Sequence, residues 1–205
     1  SITKSAGVIS HSRLGNIEWK IVKHLMLGSI PASFLMTYYL KGIDLYAYEN
    51  VKIINFSLGI ALVLTSIAVI LQPLISKKSV RQKTRSSRNT TILTILLGLS
   101  LGVLVTLTSV GAGAMGVTAL LLLYPAMSIK KIVGTDIAHA VPLTLFAGLG
   151  HLNLGTVDGY LLLSLLIGSI PGISLGSNLS AKIDEKWLRY ILAVVLLAVG
   201  IQLTM

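Results

Sequence analysis

Residues 108–125 read TSVGAGAMGVTALLLLYP and contain the pattern Gly111-x-Gly113-x-x-Gly116. As a string this is the dinucleotide-binding fingerprint, and Asp136 follows Gly116 at about the distance, roughly 20 residues, at which that fingerprint carries an acid. The fingerprint also needs a preceding strand and a helix with soluble flanks. Both flanks here are charge-free stretches of bilayer length, so the context argues against a nucleotide site. The glycines are better explained as an interruption between two membrane helices.

The composition of the whole chain supports a membrane location. Of the 205 residues, 54% are hydrophobic and 12% are charged, and the mean hydropathy is +0.85. A soluble globular domain carries about 25% charged residues. The chain has no cysteine, which excludes disulfides and thiolate metal sites. No Walker A, HExxH or other metal-ligand pattern is present, so we expect no cofactor, no metal and no enzymatic activity.

Charge-free runs predict an all-α, polytopic membrane protein with about seven transmembrane helices and a partial one. A bilayer core of about 30 Å needs roughly 20 apolar residues per helix. The expected helices are 18–40, 51–75, 92–110, 114–128, 137–152, 159–181 and 187–205, with 1–10 as the end of another. The glycine-rich break separates the third helix from the fourth.

A basic linker at residues 76–91 sets the orientation. It has no acidic residue and carries Lys77, Lys78, Arg81, Lys83, Arg85 and Arg88. The positive-inside rule makes this linker cytoplasmic, and threading from it places the other basic clusters on the same side. The basic residues behind the net charge of +10 therefore indicate how the chain is oriented in the membrane. Since no aromatic residues are interleaved with the bases, we expect no nucleic-acid partner. The expected location is a prokaryotic cell membrane, crossed several times.

Two segments of the chain are similar to each other. Residues 11–44 and 151–184 align without a gap, and both contain the tetrapeptide GSIP, at 28–31 and at 168–171. The predicted topology gives the two copies opposite orientations, as in the inverted repeats that build central sites in transporters. The predicted organisation is an incomplete first repeat (1–75), the linker (76–91) and a second repeat (92–205). A complete first repeat would need about 40 to 50 further N-terminal residues; the alternative is a truncated homologue.

The order of these motifs carries a family resemblance. The stretch GAGAMGVTALLLLYPAMSIKKIVGTD (111–136) is followed by the second repeat copy and a final apolar helix. This arrangement resembles the sulfite exporter TauE/SafE family of membrane permeases. The resemblance implies a secondary, alternating-access carrier of a small sulfur-containing anion such as sulfite or an organosulfonate. It also implies a ligand region formed by Gly111, Gly113, Gly116, Pro125, Gly134 and Thr135. The alternative is a non-transporting membrane assembly subunit or a remnant of such a permease.

The glycine-rich break could bind an anion without a buried lysine. A broken helix exposes unpaired N–H groups at the positive end of its dipole, which suits an oxyanion. Thr108, Ser109 and Thr118 are the candidate hydroxyl donors beside it. The competing interpretation is that glycine, alanine and serine only let helices pack closely. The expected partners are a small anion and the lipid bilayer, and a homo-oligomer is left open.

Few ionisable residues lie within the apolar stretches. Asp136 is predicted to cap the fifth helix or to lie in its first turn. Alternatively, Asp136 and His139, one turn later, form a proton-coupling pair. His11 and His151 occupy equivalent turns of the repeat and either cap helix ends or take part in coupling. Separately from these ionisable residues, the spacing of Gly168, Gly172 and Gly176 predicts a tightly packed helix face.

Overall fold

The fold is a bundle of α-helices. The computed structural model describes residues 2–43, 47–79, 87–108, 113–180 and 184–205, and all regular structure within these ranges is helical. The eight helices of the described residues are α1 (Ile2–Arg13), α2 (Trp19–Lys41), α3 (Tyr48–Ser79), α4 (Ser87–Thr108), α5 (Ala114–Leu123), α6 (Ile129–Asn153), α7 (Gly159–Ser180) and α8 (Glu185–Thr204). The predicted all-α class is confirmed.

Four stretches within these helices are long and apolar enough to cross a bilayer. They are Glu49–Ile75, Arg88–Thr108, Ile129–Asn153 and Lys186–Thr204. Two shorter apolar stretches, Ala114–Leu123 and Gly159–Ser169, accompany them. Exposed leucine, isoleucine and valine side chains cover much of the outer surface, as expected where lipid replaces water.

The boundary between α5 and α6 differs from the predicted one. α5 ends at Leu123, and Ser128 caps α6 by accepting a hydrogen bond from the backbone N–H of Lys131. Lys130 and Lys131, which fall between the predicted helices 114–128 and 137–152, therefore belong to the first turn of α6. Their long side chains can reach the membrane surface from within a helix. Asp136 consequently lies about two turns inside α6, and its prediction as a cap or first-turn acid is wrong.

Close backbone contacts hold α2 against α4. A Cβ atom at Gly28 would overlap the carbonyl oxygen of Ile95, and one at Gly98 would overlap that of Leu25. Such contacts are typical of small residues at helix interfaces in membranes. The tight packing predicted for α7 is wrong where it can be checked: no described residue lies within 4 Å of a Cβ built at Gly168 or Gly172. The surroundings of Gly176 lie outside the described part of the chain.

The two repeat copies share the geometry of one turn. Gly15 and Gly155 both adopt the left-handed conformation, with φ of 65° and 68°. In the first copy the N–H of Asn16 donates to the carbonyl oxygen of His11 at 2.9 Å, and in the second the N–H of Thr156 donates to that of His151 at 3.3 Å. Both are Schellman-type helix ends, which favour glycine at the left-handed position. The sequence repeat is therefore also a structural repeat at these turns.

The two ends of α6 provide a test of the predicted topology. Because the chain has no cysteine, Lys130→Cys and Asn153→Cys each introduce a single thiol, at opposite ends of one helix. We expect a membrane-impermeant maleimide to label Asn153→Cys in intact cells and Lys130→Cys only in inverted vesicles. Labelling of both positions from the same side would contradict the assignment of α6 as a full crossing.

Candidate functional site

The first turn of α5 begins inside the helix bundle. Its N-cap, Gly113, has φ 145° and ψ −97°, a conformation that residues other than glycine rarely adopt. The first intrahelical bond runs from the N–H of Val117 to the carbonyl oxygen of Gly113 at 2.8 Å. The N–H groups of Ala114, Met115 and Gly116 thus precede the hydrogen-bond ladder of α5. Met115 packs against Leu101, Val105 and Leu143, and so the beginning of α5 lies level with the interior of α4 and α6.

The carboxyl group of Asp136 lies against this turn. A Cβ atom at Gly116 would overlap Oδ1 of Asp136, so only glycine leaves room for the carboxyl group as it stands. Asp136 is 2% exposed, and its Oδ1 has no hydrogen-bond partner among the residues that the structure describes. A negative charge at this place is favoured by the positive end of the helix dipole.

His139 continues the polar face of α6 one turn further on. It is completely buried, and its Nε2 is hydrogen-bonded to Oγ of Ser29, on α2, at 2.9 Å. Its Nδ1 has no partner within the described ranges. Ionisable residues inside a membrane protein are costly and commonly mark functional sites. Helices α2, α5 and α6 therefore converge on a buried group formed by Gly116, Asp136, His139 and Ser29, which we call the central site.

A second set of hydrogen bonds extends from the central site along α2 and α4. Oγ1 of Thr106 donates to Oγ of Ser33 at 2.8 Å, and the carbonyl oxygen of Thr106 is 2.8 Å from Nε2 of His151. The other ring nitrogen of His151 is 3.1 Å from Oγ1 of Thr156. His151 thus ties the end of α6 to α4. The sequence analysis missed Ser29, Ser33 and Thr106, although Ser29 belongs to the repeated tetrapeptide.

Gly134 and Thr135 contact a different part of the protein. Oγ1 of Thr135 accepts a hydrogen bond from the backbone N–H of Glu18 at 3.0 Å, and a Cβ atom at Gly134 would overlap the carbonyl oxygen of Asn16. Lys131 also forms an ion pair with Glu18 at 2.6 Å. These contacts fasten the turn between α1 and α2 onto the beginning of α6.

The other predicted ligand residues are dispersed. Oγ1 of Thr108 donates to the carbonyl oxygen of Leu104 at 2.6 Å. Oγ1 of Thr118 lies 3.5 Å from the carbonyl oxygen of Ala68. Pro125 lines a separate cavity of about 230 Å³, together with Lys20, His24 and Thr90 among others. Ser109 and Gly111 lie outside the described residues. The structure thus places Gly113, Gly116, Asp136 and His139 on adjoining turns of α5 and α6. Gly134 and Thr135, although next to Asp136 in the chain, contact the turn between α1 and α2, and Pro125 lines another cavity.

Comparison with known proteins identifies the family of the chain. The family described as sulfite exporter TauE/SafE matches residues 1–203. The chain belongs to the sulfite exporter TauE/SafE family. It is therefore an integral, multi-pass membrane protein, and TauE/SafE proteins are transporters rather than enzymes.

Two curated relatives come from Bacillus subtilis (strain 168). "Probable membrane transporter protein YjnA" is 38% identical over 205 residues, which cover 99% of this chain and 80% of the relative. "Probable membrane transporter protein YdhB" is 28% identical over 189 residues, which cover 91% of this chain and 74% of the relative. No solved structure matches this TauE/SafE chain.

The two buried serines of α2 make a matched test of the central site in this TauE/SafE protein. Ser29→Ala removes the partner of Nε2 of His139, so we expect the free energy of unfolding to fall by about 1–3 kcal/mol. Ser33→Ala should cost less, under about 1 kcal/mol, because Thr106 keeps its bond to the carbonyl oxygen of Gly102. Denaturant titration in detergent measures both values. Equal losses would show that the bond between Ser29 and His139 stabilises the protein no more than the bond between Ser33 and Thr106.

Proposed function

We propose that this protein is a secondary transporter that moves a small sulfur-containing anion, such as sulfite or an organosulfonate, by alternating access. We place it in the plasma membrane of a prokaryotic cell. The observation that carries the proposal is the beginning of α5, where three backbone N–H groups precede the first intrahelical bond in the interior of the bundle. Such a helix end is suited to bind an oxyanion without a lysine or arginine beside it.

The anion is proposed to bind at the first turn of α5. Gly113 leaves open space there, since no described residue lies within 4 Å of a Cβ built at this position. Backbone N–H groups of this turn would hold the anion oxygens, and the glycine-rich segment before it, with Ser109 and Gly111, would complete the site. Thr108 and Thr118 are proposed as flanking hydroxyl donors. Pro125 follows α5, and Gly134 and Thr135 hold the beginning of α6 against the turn between α1 and α2. These three residues are proposed to position α5 and α6 rather than to touch the anion.

Asp136 and His139 are proposed to couple transport to protons. Both are buried in the interior of a membrane-spanning helix, and each has one side-chain atom without a partner in the described part of the protein. Asp136 also touches the turn at which the anion is proposed to bind. A charge change on Asp136 would therefore act directly on the anion.

Uptake into proteoliposomes tests the proposed function. Purified protein is reconstituted, and initial uptake of labelled sulfite and of several organosulfonates is compared with uptake into protein-free vesicles. We expect saturable uptake of at least one of these anions, and inhibition by the unlabelled anion. Gly116→Leu, which pushes against Asp136, should insert into the membrane but transport nothing. Equal uptake into protein-containing and empty vesicles for all of the anions would overturn the proposal and favour a non-transporting assembly subunit.

A further inference from the structure

The positive end of α5 is already next to a carboxyl group. Asp136 lies against Gly116 in the first turn of α5, is 2% exposed and has no partner at Oδ1 among the described residues. The same turn carries the N–H groups that precede the intrahelical bonds. A carboxylate and an anionic substrate at this turn would both interact with one set of donors and one dipole.

We propose that the carboxylate of Asp136 and the anion compete for the first turn of α5, so that the anion binds when Asp136 has taken up a proton. Anion and proton then cross the membrane together, in the same direction. This inference rests on the proposed function and adds the direction in which the proton moves relative to the anion. Asp136 is then the residue whose proton binding controls anion binding.

Electrostatics decides the sign of the coupling. With Asp136 ionised, the incoming anion would lie beside a like charge in a dehydrated interior, and the dipole of α5 would already be neutralised. Protonation removes the like charge and leaves the N–H groups to the anion. An exchanger of anion for proton would need the opposite response, in which protonation weakens anion binding. The position of Asp136 at the positive end of the helix favours co-transport.

The transport cycle balances in charge and in protons. Asp136 takes one proton from the aqueous side to which the site is open and becomes neutral. One monovalent anion then occupies the turn, and the loaded site carries no added net charge. After the change of access the anion leaves, and the proton returns from the carboxyl group to water on the other side. One proton and one monoanion per cycle make the transport electroneutral.

Other ionisable groups lie around α6 and contribute to the electrostatic potential at Asp136. From α1, the charge of Lys4 acts on both Asp136 and His139, and Nδ1 of His11 would lie 3.0 Å from a Cβ atom at Gly134. From the α2 side, Glu18 pairs with Lys131 at the beginning of α6, and Ser29 is hydrogen-bonded to His139. The sequences of α5 and of α4 beyond its first turn contain no ionisable residue. α3, which also packs against α5, carries its ionisable residues, Glu49 among them, near its two ends. Asp136 is the carboxyl group that the described structure places at the first turn of α5.

The test uses methanesulfonate, which stays a monoanion throughout the working pH range, so that any pH response belongs to the protein. Proteoliposomes containing the full chain are given an outside-acid or an inside-acid gradient, with the membrane potential clamped at zero. We expect initial uptake to be at least several-fold faster with the acid outside, and a pH dye in the lumen should show acidification that requires methanesulfonate. A potential imposed without a pH gradient should change the rate little.

A matched pair of variants assigns the coupling to Asp136. Asp136→Asn cannot change charge, so its uptake should respond to the pH gradient less than twofold while exchange of labelled for unlabelled methanesulfonate continues. Asp158→Asn, in the exposed turn before α7, keeps a capping side chain and should respond as the wild type does. If Asp136→Asn does not fold, the luminal dye measurement on the wild type still decides whether anion and proton cross together.

The possible failures are distinguishable. Uptake that is faster with the acid inside would show exchange and overturn the inference. Transport by the wild type without any response to the gradient would overturn the coupling and leave the carrier function intact. No uptake of methanesulfonate or of any other tested anion by the wild type would overturn the proposed function itself.

Discussion

Gly28→Ala should severely destabilise the helix bundle, whereas Gly168→Ala should leave it intact. The two glycines begin the two copies of the repeated tetrapeptide GSIP, so both substitutions replace the glycine before Ser-Ile-Pro. A Cβ atom at Gly28 would overlap the carbonyl oxygen of Ile95 and lie 2.6 Å from the backbone nitrogen of Leu99. Backbone atoms cannot rotate away, so α2 and α4 would have to separate. At Gly168 no described residue lies within 4 Å of the added methyl group.

The expected effects differ in sign as well as in size. Overpacking usually costs about 1–3 kcal/mol, and the cost at Gly28 should reach the upper end because the obstruction is backbone. Alanine at Gly168 removes a glycine from the interior of a helix, which contributes up to about 1 kcal/mol of helix stability. Thermal unfolding in detergent, followed by the fluorescence of Trp19 and Trp187, measures both. Similar melting temperatures for the two variants would contradict the packing of α2 against α4.

The interruption of the helices was predictable from the sequence, whereas their ends were less so. Long apolar runs cannot leave backbone groups unpaired in lipid, so helices were the expected outcome. The glycine-rich segment then marked the break, and α5 begins at Ala114 as predicted. The predicted helix begins at residue 137, too late, because Lys130 and Lys131 interrupt the charge-free run. Lys130 and Lys131 lie within the helix, since a lysine side chain can extend from a helix to the membrane surface.

The site was only partly predictable, because its contacts join residues far apart in the sequence. Gly116, Asp136 and His139 were each singled out on local grounds, yet nothing local predicts that Asp136 touches Gly116 or that His139 bonds Ser29. Gly28 and Gly168 occupy equivalent positions in the two copies of the repeat. Their surroundings differ because close packing depends on the opposite helix, which a repeated motif does not specify.

Gly113→Leu should reduce anion uptake to the level of empty vesicles while leaving membrane insertion unchanged. The space beside Gly113 is open among the described residues, and it adjoins the N–H groups proposed to hold the anion. A leucine side chain would fill that space. Gly113 also has φ 145°, so every replacement strains the backbone, by about 1–3 kcal/mol. Loss of uptake in one variant alone could therefore come from strain rather than from occlusion.

Gly113→Ala separates the two causes, because it carries the same backbone strain with a much smaller side chain. If occlusion dominates, the alanine variant should retain uptake within about tenfold of the wild type, the ratio that roughly 1.4 kcal/mol represents. The leucine variant should retain none, and a valine variant should fall between them. Initial uptake rates of the three proteins, normalised to the amount of folded protein in the vesicles, measure the series. Equal losses at alanine and leucine would point to strain in the turn, and unimpaired uptake by both would show that the space beside Gly113 takes no part in anion binding.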